Sequence, residues 1–281
     1  MTSPISDADV KHFRKHGWVR VRGLHSPDQV GVLLATMQKG FANPPDVSQT
    51  YGAANPQTPK DVVSNKDPRI VLVNVRELNL YYDEVKPVCL DSRVGAVVRS
   101  LLGVPQVRLF SETYLDKPPG GLATPWHQDW PLQPFDRRDT VNCWVALDDI
   151  TMSQGPLHVV SGSHRLGPIY TPTDFSEQPA LNELLSAQDI ELLWSLAAPG
   201  DFEEDGVPVH RAEFGAGDGI IFYGSCMHGA PSNETDRRRR GYTRSIISAE
   251  VRYTGMPYLK TDAVGLSPGR PFDLPRYPIF S

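Results

Sequence analysis

The sequence is short of cysteine, of long apolar runs and of excess positive charge. Its three cysteines, Cys89, Cys143 and Cys226, are widely spaced, which excludes a disulfide framework and a cysteine-rich zinc site. No stretch reaches the roughly 18 consecutive apolar residues that a membrane-spanning helix needs. The N-terminal residues have no basic segment followed by an apolar one, so no secretory signal is expected. We therefore expect a protein of the reducing cytoplasm that has no membrane partner.

The charge balance argues against a nucleic-acid partner. Lys and Arg number 28 and Asp and Glu number 33, which gives a net charge of −5. Proteins that bind nucleic acid are usually basic, because they must neutralise phosphates. With 40% apolar and 22% charged residues, the 281-residue chain has the composition of a globular protein with a sizeable core.

The first part of the chain has the periodicity of helices. A helix begins after Ser6 and ends at Gly17, and a second begins at Ser26-Pro27, where Ser is a favoured N-cap and Pro a favoured first residue. A third amphipathic helix is predicted over Asp91–Leu102. Between them, residues 43–68 are polar and rich in proline, which predicts either a loop that covers the domain or a disordered segment.

From residue 104 the pattern changes to short strands with a period of two. The predicted strands are Gln106–Leu115, Asn142–Leu147, Pro156–Val160, Val207–Phe214, Asp218–Tyr223 and Tyr242–Arg252. A helical insertion is predicted near 181–194, and residues 255–281 form a tail rich in Pro and Gly. Helices followed by many short strands predict a mainly β fold with flanking helices around a sandwich or barrel. We expect one domain over 1–281, with a helical flank at 1–103 and a β core at 104–254.

The segment His127-Gln128-Asp129 carries the first indication of chemistry. In an extended strand, residues two apart point to the same side, so His127 and Asp129 would share one face and Gln128 would turn away. An imidazole and a carboxylate are two of the three ligands of the facial triad that holds non-haem Fe(II). The tripeptide alone is weak evidence, because it occurs by chance in many proteins.

The best candidate for the third ligand is His228, at the far end of the apolar strand that begins near Asp218. His210 also alternates with apolar residues and is an alternative on pattern alone. His12 and His16 have the spacing of a solvated helix face. His164 follows a Ser-Gly-Ser turn and is expected to brace a loop.

Four consecutive arginines follow His228, at 237–240. A non-haem iron needs a co-substrate that donates electrons, and 2-oxoglutarate would place a free carboxylate against a guanidinium on a neighbouring strand. Alternation places Arg237 and Arg239 on one face and Arg238 and Arg240 on the other. Four arginines in a row are also typical of a solvated turn or an anion patch, and both interpretations can hold at once.

Taken together, these motifs resemble the phytanoyl-CoA dioxygenase family of Fe(II)/2-oxoglutarate oxygenases. The resemblance covers most of the chain, and it rests on the ensemble rather than on any single piece. The matching segments are Gly17-Trp18-Val19, Lys117-Pro118-Pro119, His127-Gln128-Asp129-Trp130, Trp144–Asp149, Gln154–Leu157, Ser161–Arg165, Gly217-Asp218, His228-Gly229, Asn233 and the arginines.

The resemblance implies a double-stranded β-helix, or jelly roll, with Fe(II), 2-oxoglutarate and O₂ as cofactor and co-substrates. It implies His127, Asp129 and His228 as iron ligands, which are also the catalytic residues. It implies Arg239 as the anchor of the co-substrate carboxylate, with Arg240 one register away as the alternative. Two further positions, Trp144 and Thr113, are implied to line the co-substrate.

Two other positions bear on the reaction that the resemblance implies. Ala230 stands where the family often has a Ser that reaches the co-substrate, so that contact is expected to be absent. Asp129 stands where halogenating relatives have a small residue, so its presence favours hydroxylation, desaturation, epoxidation or cyclisation.

The motifs do not name the substrate, and we expect a small molecule, as in the tailoring of a bacterial natural product. Trp126 and Trp130 flank the metal motif and are either core residues or walls of the substrate pocket. A non-catalytic β-barrel that binds a metal or small ligand is the alternative function, against which the intact ligands and arginine argue. An oxygenase that modifies nucleic acid or protein is disfavoured, because apart from the arginine run there is no basic face.

Overall fold

A computed structural model describes residues 5–43, 73–169, 179–258, 261 and 264–280 of the chain. The loop predicted at 43–68 lies outside the described residues from position 44 onward. No helix in the described part of the chain combines the length and the apolar composition needed to cross a membrane.

Six α-helices occur in these ranges, and the first two begin where the sequence predicted. Ser6 and Ser26 each form a capping box with the third helical residue, which satisfies backbone donors that a helix start leaves unpaired. Gly17 ends the first helix in a left-handed conformation with φ of 90°. The helices are α1 (Asp7–His16), α2 (Pro27–Ala42), α3 (Lys86–Cys89), α4 (Ser92–Leu102), α5 (Leu181–Leu184) and α6 (Ala187–Ser195).

In the part of the chain that the structure describes, eleven strands form two antiparallel sheets. The larger has the order β1-β9-β5-β11-β3-β2, and the smaller has the order β4-β10-β6-β8-β7. The strands are β1 (Trp18–Val21), β2 (Val73–Arg76), β3 (Val107–Lys117), β4 (Thr124–His127), β5 (Thr140–Ala146), β6 (His158–Val160), β7 (Phe202–Glu204), β8 (Val207–His210), β9 (Gly219–Tyr223), β10 (His228–Ala230) and β11 (Arg239–Ser248). The prediction of a mainly β fold with flanking helices is confirmed.

The boundaries of β11 differ from the prediction in a way that matters for the site. The strand begins at Arg239 rather than Tyr242, because Arg239 already pairs with Lys117 across the β3–β11 ladder. The end of the arginine run is therefore part of a strand and obeys strand alternation.

The larger sheet buries both of its faces. One face packs against the helical flank, and Cys143, Val145 and Ile221 point to that side. The other face packs against the smaller sheet, and Trp144, Ile220 and Phe222 point into that space. Since alternate residues of a strand point to opposite faces, every second residue of β3, β5 and β11 faces the space between the sheets.

The predicted helical insertion is present as α5 and α6. It covers the outer face of the smaller sheet, where Leu181 and Leu193 pack against Val160 and Val209. All three cysteines are buried free thiols.

Candidate metal centre and co-substrate pocket

The two histidines predicted to bind metal lie side by side on the smaller sheet. His127 ends β4 and is the direct cross-strand partner of His228, which begins β10. Their ring centroids are 4.1 Å apart. His228 is buried, whereas His127 is half-exposed, so the pair is open on one side.

Asp129 reaches the histidines by a route that the strand pattern did not predict. The strand ends at His127, and Asp129 has helical backbone angles (φ −84°, ψ −41°) at the start of the short turn Trp130–Leu132. The N–H groups of Asp129 and Trp130 both donate to the carbonyl of Gly224, at 3.1 and 2.9 Å, which fixes this turn. The expectation that Asp129 shares an extended strand with His127 was therefore wrong, although the two side chains do converge.

The carboxylate of Asp129 faces both imidazoles. Its Oδ1 lies 3.8 Å from Nε2 of His127, and its Oδ2 lies 3.6 Å from Nε2 of His228. The side-chain amide of Asn142 on β5 donates a hydrogen bond to Oδ2 of Asp129. This contact across the two sheets holds the carboxylate in place.

Backbone carbonyls orient both imidazoles. Nδ1 of His127 lies 2.8 Å from the carbonyl oxygen of Pro125, and Nδ1 of His228 lies 3.1 Å from that of Cys226. A carbonyl only accepts, so we assign the ring proton to Nδ1 in each case, which leaves the Nε2 lone pair free for a metal.

Protonation also favours metal binding at His228. Burial, reinforced by the neighbouring His127, lowers the pKa of His228 to about 4. The neutral imidazole that binds metals is thus the stable form near neutral pH. One ligand atom from each of His127, Asp129 and His228 lies within 4.8 Å of the others, and the described residues contain no other such group of three. Two imidazoles and one carboxylate are the donor set of the Fe(II) facial triad, so the residues fit that metal.

Three of the four consecutive arginines, Arg238, Arg239 and Arg240, have different hydrogen-bond partners in the structure. Arg238 is paired with Asp116, and Arg240 with Asp148, both away from the space between the sheets. Arg239 is only 3% exposed, points inward, and donates from Nε to the carbonyl of Gly155 at 3.0 Å. Its two terminal nitrogens make no hydrogen bond to a described residue, so they remain available to a carboxylate.

Trp144 lies beside this guanidinium, 5.3 Å from ring centroid to Cζ of Arg239. The indole is 2% exposed, yet its Nε1–H has no hydrogen-bond partner among the described residues. A buried donor without an acceptor is costly. The unpartnered indole and guanidinium donors fit the oxygen-rich 2-oxoglutarate.

Thr113 lies on the same face of the larger sheet as Trp144. It is half-buried on β3 and pairs with Thr243 of β11, which in turn pairs with Trp144 of β5. Directly opposed residues in antiparallel strands share a face, so Thr113 faces the same space as Trp144 and Arg239.

The tryptophans that flank the metal motif lie elsewhere. Trp126 points to the outer face of the smaller sheet, where it packs in the cluster around Val160 and Leu193. Trp130 carries the guanidinium of Arg138 4.6 Å above its ring and donates from Nε1 to the carbonyl of Arg137. Of the two interpretations left open by the sequence, core packing holds for Trp126.

His210, the alternative third ligand, lies apart from this centre. Its ring stacks on Trp18 at 3.7 Å, and its Nδ1 lies 3.9 Å from a carboxylate oxygen of Asp201. His164 stacks on Tyr223 at 5.0 Å beside Gly17, in the bracing position predicted for it.

Sequence reasoning missed two residues of the site, Asn142 and Gly155. Asn142 is two residues before Trp144 on β5, so strand alternation could have placed both on one face. Gly155 was part of a matching segment, but nothing in the sequence indicated that its carbonyl orients Arg239. Only the fold brings that loop against β11.

Residues 13–241 match the family model described as "Phytanoyl-CoA dioxygenase (PhyH)". Among curated proteins, the chain is 22% identical over 160 residues to a probable alpha-ketoglutarate-dependent hypophosphite dioxygenase of Stutzerimonas stutzeri, covering 57% of this chain and 54% of that protein. It is 26% identical over 174 residues to the human peroxisomal phytanoyl-CoA dioxygenase, covering 58% of this chain and 47% of that protein. The chain thus spans about half the length of these curated relatives.

Solved structures match over nearly the whole chain. The epimerase SnoN, in complex with Fe³⁺, alpha ketoglutarate and nogalamycin RO, matches with a TM-score of 0.75 at 23% identity, covering 98% of both chains. The alpha-ketoglutarate-dependent carbocyclase SnoK from nogalamycin biosynthesis also has a TM-score of 0.75, at 21% identity, covering 100% of this chain and 99% of that one. These likenesses confirm the predicted double-stranded β-helix fold. The protein belongs to the phytanoyl-CoA dioxygenase (PhyH) family of Fe(II)/2-oxoglutarate-dependent oxygenases.

Proposed function

We propose that this protein is an Fe(II)/2-oxoglutarate-dependent dioxygenase that oxidises a small molecule. One observation carries the proposal: two oriented imidazoles and a carboxylate converge in a structure that also buries Arg239, whose terminal nitrogens have no hydrogen-bond partner among the described residues. A metal site alone would not require the arginine, and an arginine alone would not require the triad. Their combination matches a metal together with a dicarboxylate co-substrate.

The roles of the side chains follow from their positions. His127, Asp129 and His228 hold Fe(II), and Asn142 keeps the carboxylate turned to it. Arg239 binds the distal carboxylate of 2-oxoglutarate. Trp144 and Thr113 line the co-substrate, and the indole N–H of Trp144 donates to it.

When bound, iron and 2-oxoglutarate would supply the oxidising chemistry, with 2-oxoglutarate and O₂ consumed and succinate and CO₂ formed. The protein itself binds and orients the metal and the co-substrate and shields the reacting centre. Phe222 packs its ring 4.7 Å from that of His228 and closes one side of the centre. The exposed side of His127 and Asp129 is where substrate reaches the iron.

Asp129 also bears on the type of reaction. Its carboxylate would take the coordination position that a halide needs, so we propose oxidation rather than halogenation. Hydroxylation is the leading outcome, with desaturation, epoxidation and cyclisation as related ones.

The substrate we propose is a small molecule of bacterial secondary metabolism. This rests on the two nogalamycin enzymes, an epimerase and a carbocyclase, that share the fold over almost their full length. Because related folds support different outcomes, the substrate must be identified by screening.

Release of succinate from 2-oxoglutarate tests the proposed activity. The protein would be loaded with Fe(II) without oxygen, mixed with 2-oxoglutarate and a panel of small polyketide and amino-acid derivatives, and exposed to O₂. We expect succinate and CO₂ in equal amounts, with acceleration by a substrate. If Fe(II) and 2-oxoglutarate bind but no member of the panel yields succinate, the alternative of a non-catalytic metal- and ligand-binding β-barrel becomes the better interpretation.

A further inference from the structure

A row of aromatic rings leads from the metal centre to the N-terminal helix. The ring of Phe222 lies 4.7 Å from that of His228, measured between ring centroids. Trp18 of β1 is the direct cross-strand partner of Phe222 in β9, and both side chains pack between the two sheets. One phenyl ring therefore connects the metal ligand His228 to the indole of Trp18.

Two imidazoles flank the indole of Trp18, which is only 5% exposed. The ring of His210 stacks on it at 3.7 Å, and the ring of His12 meets it edge-on at 4.5 Å, again between centroids. Burial, followed by the charge of Arg20, lowers the pKa of His210 to about 3, so this imidazole is neutral near neutral pH. His12 is half-buried on α1, so the row of rings ends near the surface.

The indole N–H of Trp18 begins a route for a proton. Its Nε1 donates to Oγ of the buried Ser161 at 2.8 Å. The hydroxyl of Ser161 faces the carboxylate of Asp201, a side chain that is 2% exposed. Burial raises the pKa of Asp201, although Ser161 opposes this effect, and Oδ1 of Asp201 has no hydrogen-bond partner among the described residues. The carboxylate is thus a base that is placed to receive a proton.

Three other tryptophans have no such base at the indole nitrogen. Trp130 and Trp194 donate to backbone carbonyls, which do not take up protons at neutral pH. The N–H of Trp144 has no partner among the described residues. An indole that has lost an electron becomes a strong acid at nitrogen, so a nearby base favours its oxidation. This condition distinguishes Trp18 from these three tryptophans.

We propose that Trp18 is a redox-active residue that gives an electron to the metal centre when O₂ is consumed without substrate. The inference rests on the proposed function, because turnover of O₂ with 2-oxoglutarate is the source of the oxidising equivalents. A donor of this kind protects the metal ligands from oxidation. The rival explanation is that Trp18 only fills one end of the space between the sheets.

The proposed step conserves electrons and protons. Trp18 loses one electron to the metal centre, and its N–H proton passes to Oγ of Ser161 while the hydroxyl proton of Ser161 passes to Asp201. The products are a neutral indole radical and a protonated carboxylate. A reductant such as ascorbate then returns one electron to the indole, and the two protons move back. Two such rounds supply the two electrons that a substrate would otherwise give.

Electron paramagnetic resonance on rapidly frozen samples detects such a radical directly. Fe(II)-loaded protein with 2-oxoglutarate would be mixed with O₂ in the absence of both substrate and ascorbate. Protein made with ring-deuterated tryptophan assigns the signal, because deuterium narrows the hyperfine lines of an indole radical. The variants are Trp18→Phe and, as a control, Trp194→Phe, which removes an exposed indole of α6.

We expect an indole radical in the wild type and in Trp194→Phe, and loss of the signal in Trp18→Phe. Peptide mapping after prolonged exposure to O₂ should find oxidised Trp18 in the wild type. In Trp18→Phe it should find oxidised residues around His127 and His228 instead, because the protecting donor is missing. A wild type without the radical, or an undiminished signal in Trp18→Phe, would overturn the proposal.

Asp201→Asn tests the proton route. Oδ2 of Asp201 accepts from the N–H of Ala198 at 2.7 Å, and the amide oxygen of Asn can keep this bond although the amide is not a base. We expect less of the neutral radical, which optical absorption distinguishes from the radical cation. An unchanged yield would refute the role of Asp201. If Trp18→Phe does not fold, this variant and the peptide map of the wild type decide the question.

Succinate measured in the same samples separates this inference from the proposed function. Succinate without an indole radical would refute the role of Trp18 and leave the proposed activity standing. A radical at Trp18 without succinate would support the electron donor and refute the use of 2-oxoglutarate. The absence of both products would refute both proposals.

Discussion

At the scale of single residues, the proposed site consists of side chains whose polar atoms either face one another or have no hydrogen-bond partner among the described residues. The Nε2 atoms of His127 and His228 face Asp129, since carbonyls occupy the other ring nitrogens. Arg239 and Trp144 present buried donors to the same space. Each of these features costs stability in the absence of a ligand, which is typical of a binding site.

Replacing the metal carboxylate tests the triad. Asp129→Ala removes one of the three ligands that we propose, so we expect loss of Fe(II) binding and of succinate formation, measured by metal titration and by product analysis. Asp139→Ala, which changes a carboxylate outside the triad, serves as the control and should behave as wild type. Full activity of Asp129→Ala would exclude Asp129 as a ligand.

Replacing Asn142, which donates a hydrogen bond to Asp129, should lower Fe(II) affinity less than replacing Asp129 itself. Asn142→Ala deletes the hydrogen bond to Oδ2 of Asp129, and loss of such an outer contact typically lowers metal affinity by about 10- to 100-fold. Competition with a chelator would measure the Fe(II) dissociation constant. An unchanged constant would show that the turn alone orients Asp129.

Substitution also tests whether Arg239 or Arg240 binds the distal carboxylate of 2-oxoglutarate. Arg239→Met should raise the dissociation constant for 2-oxoglutarate by about tenfold or more, because a buried charge-assisted contact is lost. Arg240→Met is the matched control and should have little effect, since that side chain is paired with Asp148. If Arg240→Met weakens 2-oxoglutarate binding and Arg239→Met does not, Arg240 rather than Arg239 binds the distal carboxylate.

At the scale of elements, the site is made where strand ends meet turns. β4 supplies His127, but the turn that follows it supplies Asp129, and the carbonyl of Gly224 after β9 fixes that turn. A Cβ atom at Gly224 would lie 2.6 Å from Oγ1 of Thr140, closer than two such atoms can approach. The glycine is needed there because the chain after β9 passes directly against the start of β5.

A pair of substitutions tests this arrangement. Gly224→Ala should displace the turn, lower Fe(II) affinity and reduce the unfolding temperature. Adding Thr140→Ala removes Oγ1, and the next nearest atom, Cβ of Thr140, lies at 3.7 Å, so the double variant should recover much of the affinity. If the double variant is no better than Gly224→Ala, the contact with Thr140 is not what restricts position 224.

At the scale of the whole molecule, two sheets enclose the site, and helices cover the outer face of each sheet. The clusters on the two faces of the larger sheet are separate, one beneath the helices and one between the sheets. A ligand between the sheets therefore bridges elements far apart in sequence, such as β3, β5, β10 and β11.

Ligand binding should consequently stabilise the entire fold. At a ligand concentration of about 100 times Kd, linkage predicts about 2.7 kcal/mol, which corresponds to several degrees in Tm for a domain of this size. Thermal unfolding with Fe(II) and 2-oxoglutarate together should show this shift. Asp129→Ala should show none, and a wild-type Tm that does not respond to either ligand would contradict the proposed pocket.

The sequence by itself determined much of the local structure and the identity of the family. Helix starts at Ser6 and Ser26 could be predicted because capping is a local interaction between residues three apart. The alternation of the β segments predicted the fold class, since a period of two reflects burial on one face of a strand. The candidate ligands could be named because few residue types bind iron and their spacing matches a family.

Only the tertiary structure decided the arrangement within the site, because two contacts that fix it, Arg239 with Gly155 and Asp129 with Gly224, join residues more than 80 positions apart. The sequence left Arg239 and Arg240 open, and the ladder with β3 turned Arg239 inward. It treated the segment after His127 as strand, whereas a carbonyl from the chain after β9 makes it a turn. Lys117 was a turn residue in the sequence, and pairing with β11 makes it the buried neighbour of Arg239. Strand register and the packing of one sheet on the other are set by the sum of many distant contacts, which no local pattern contains.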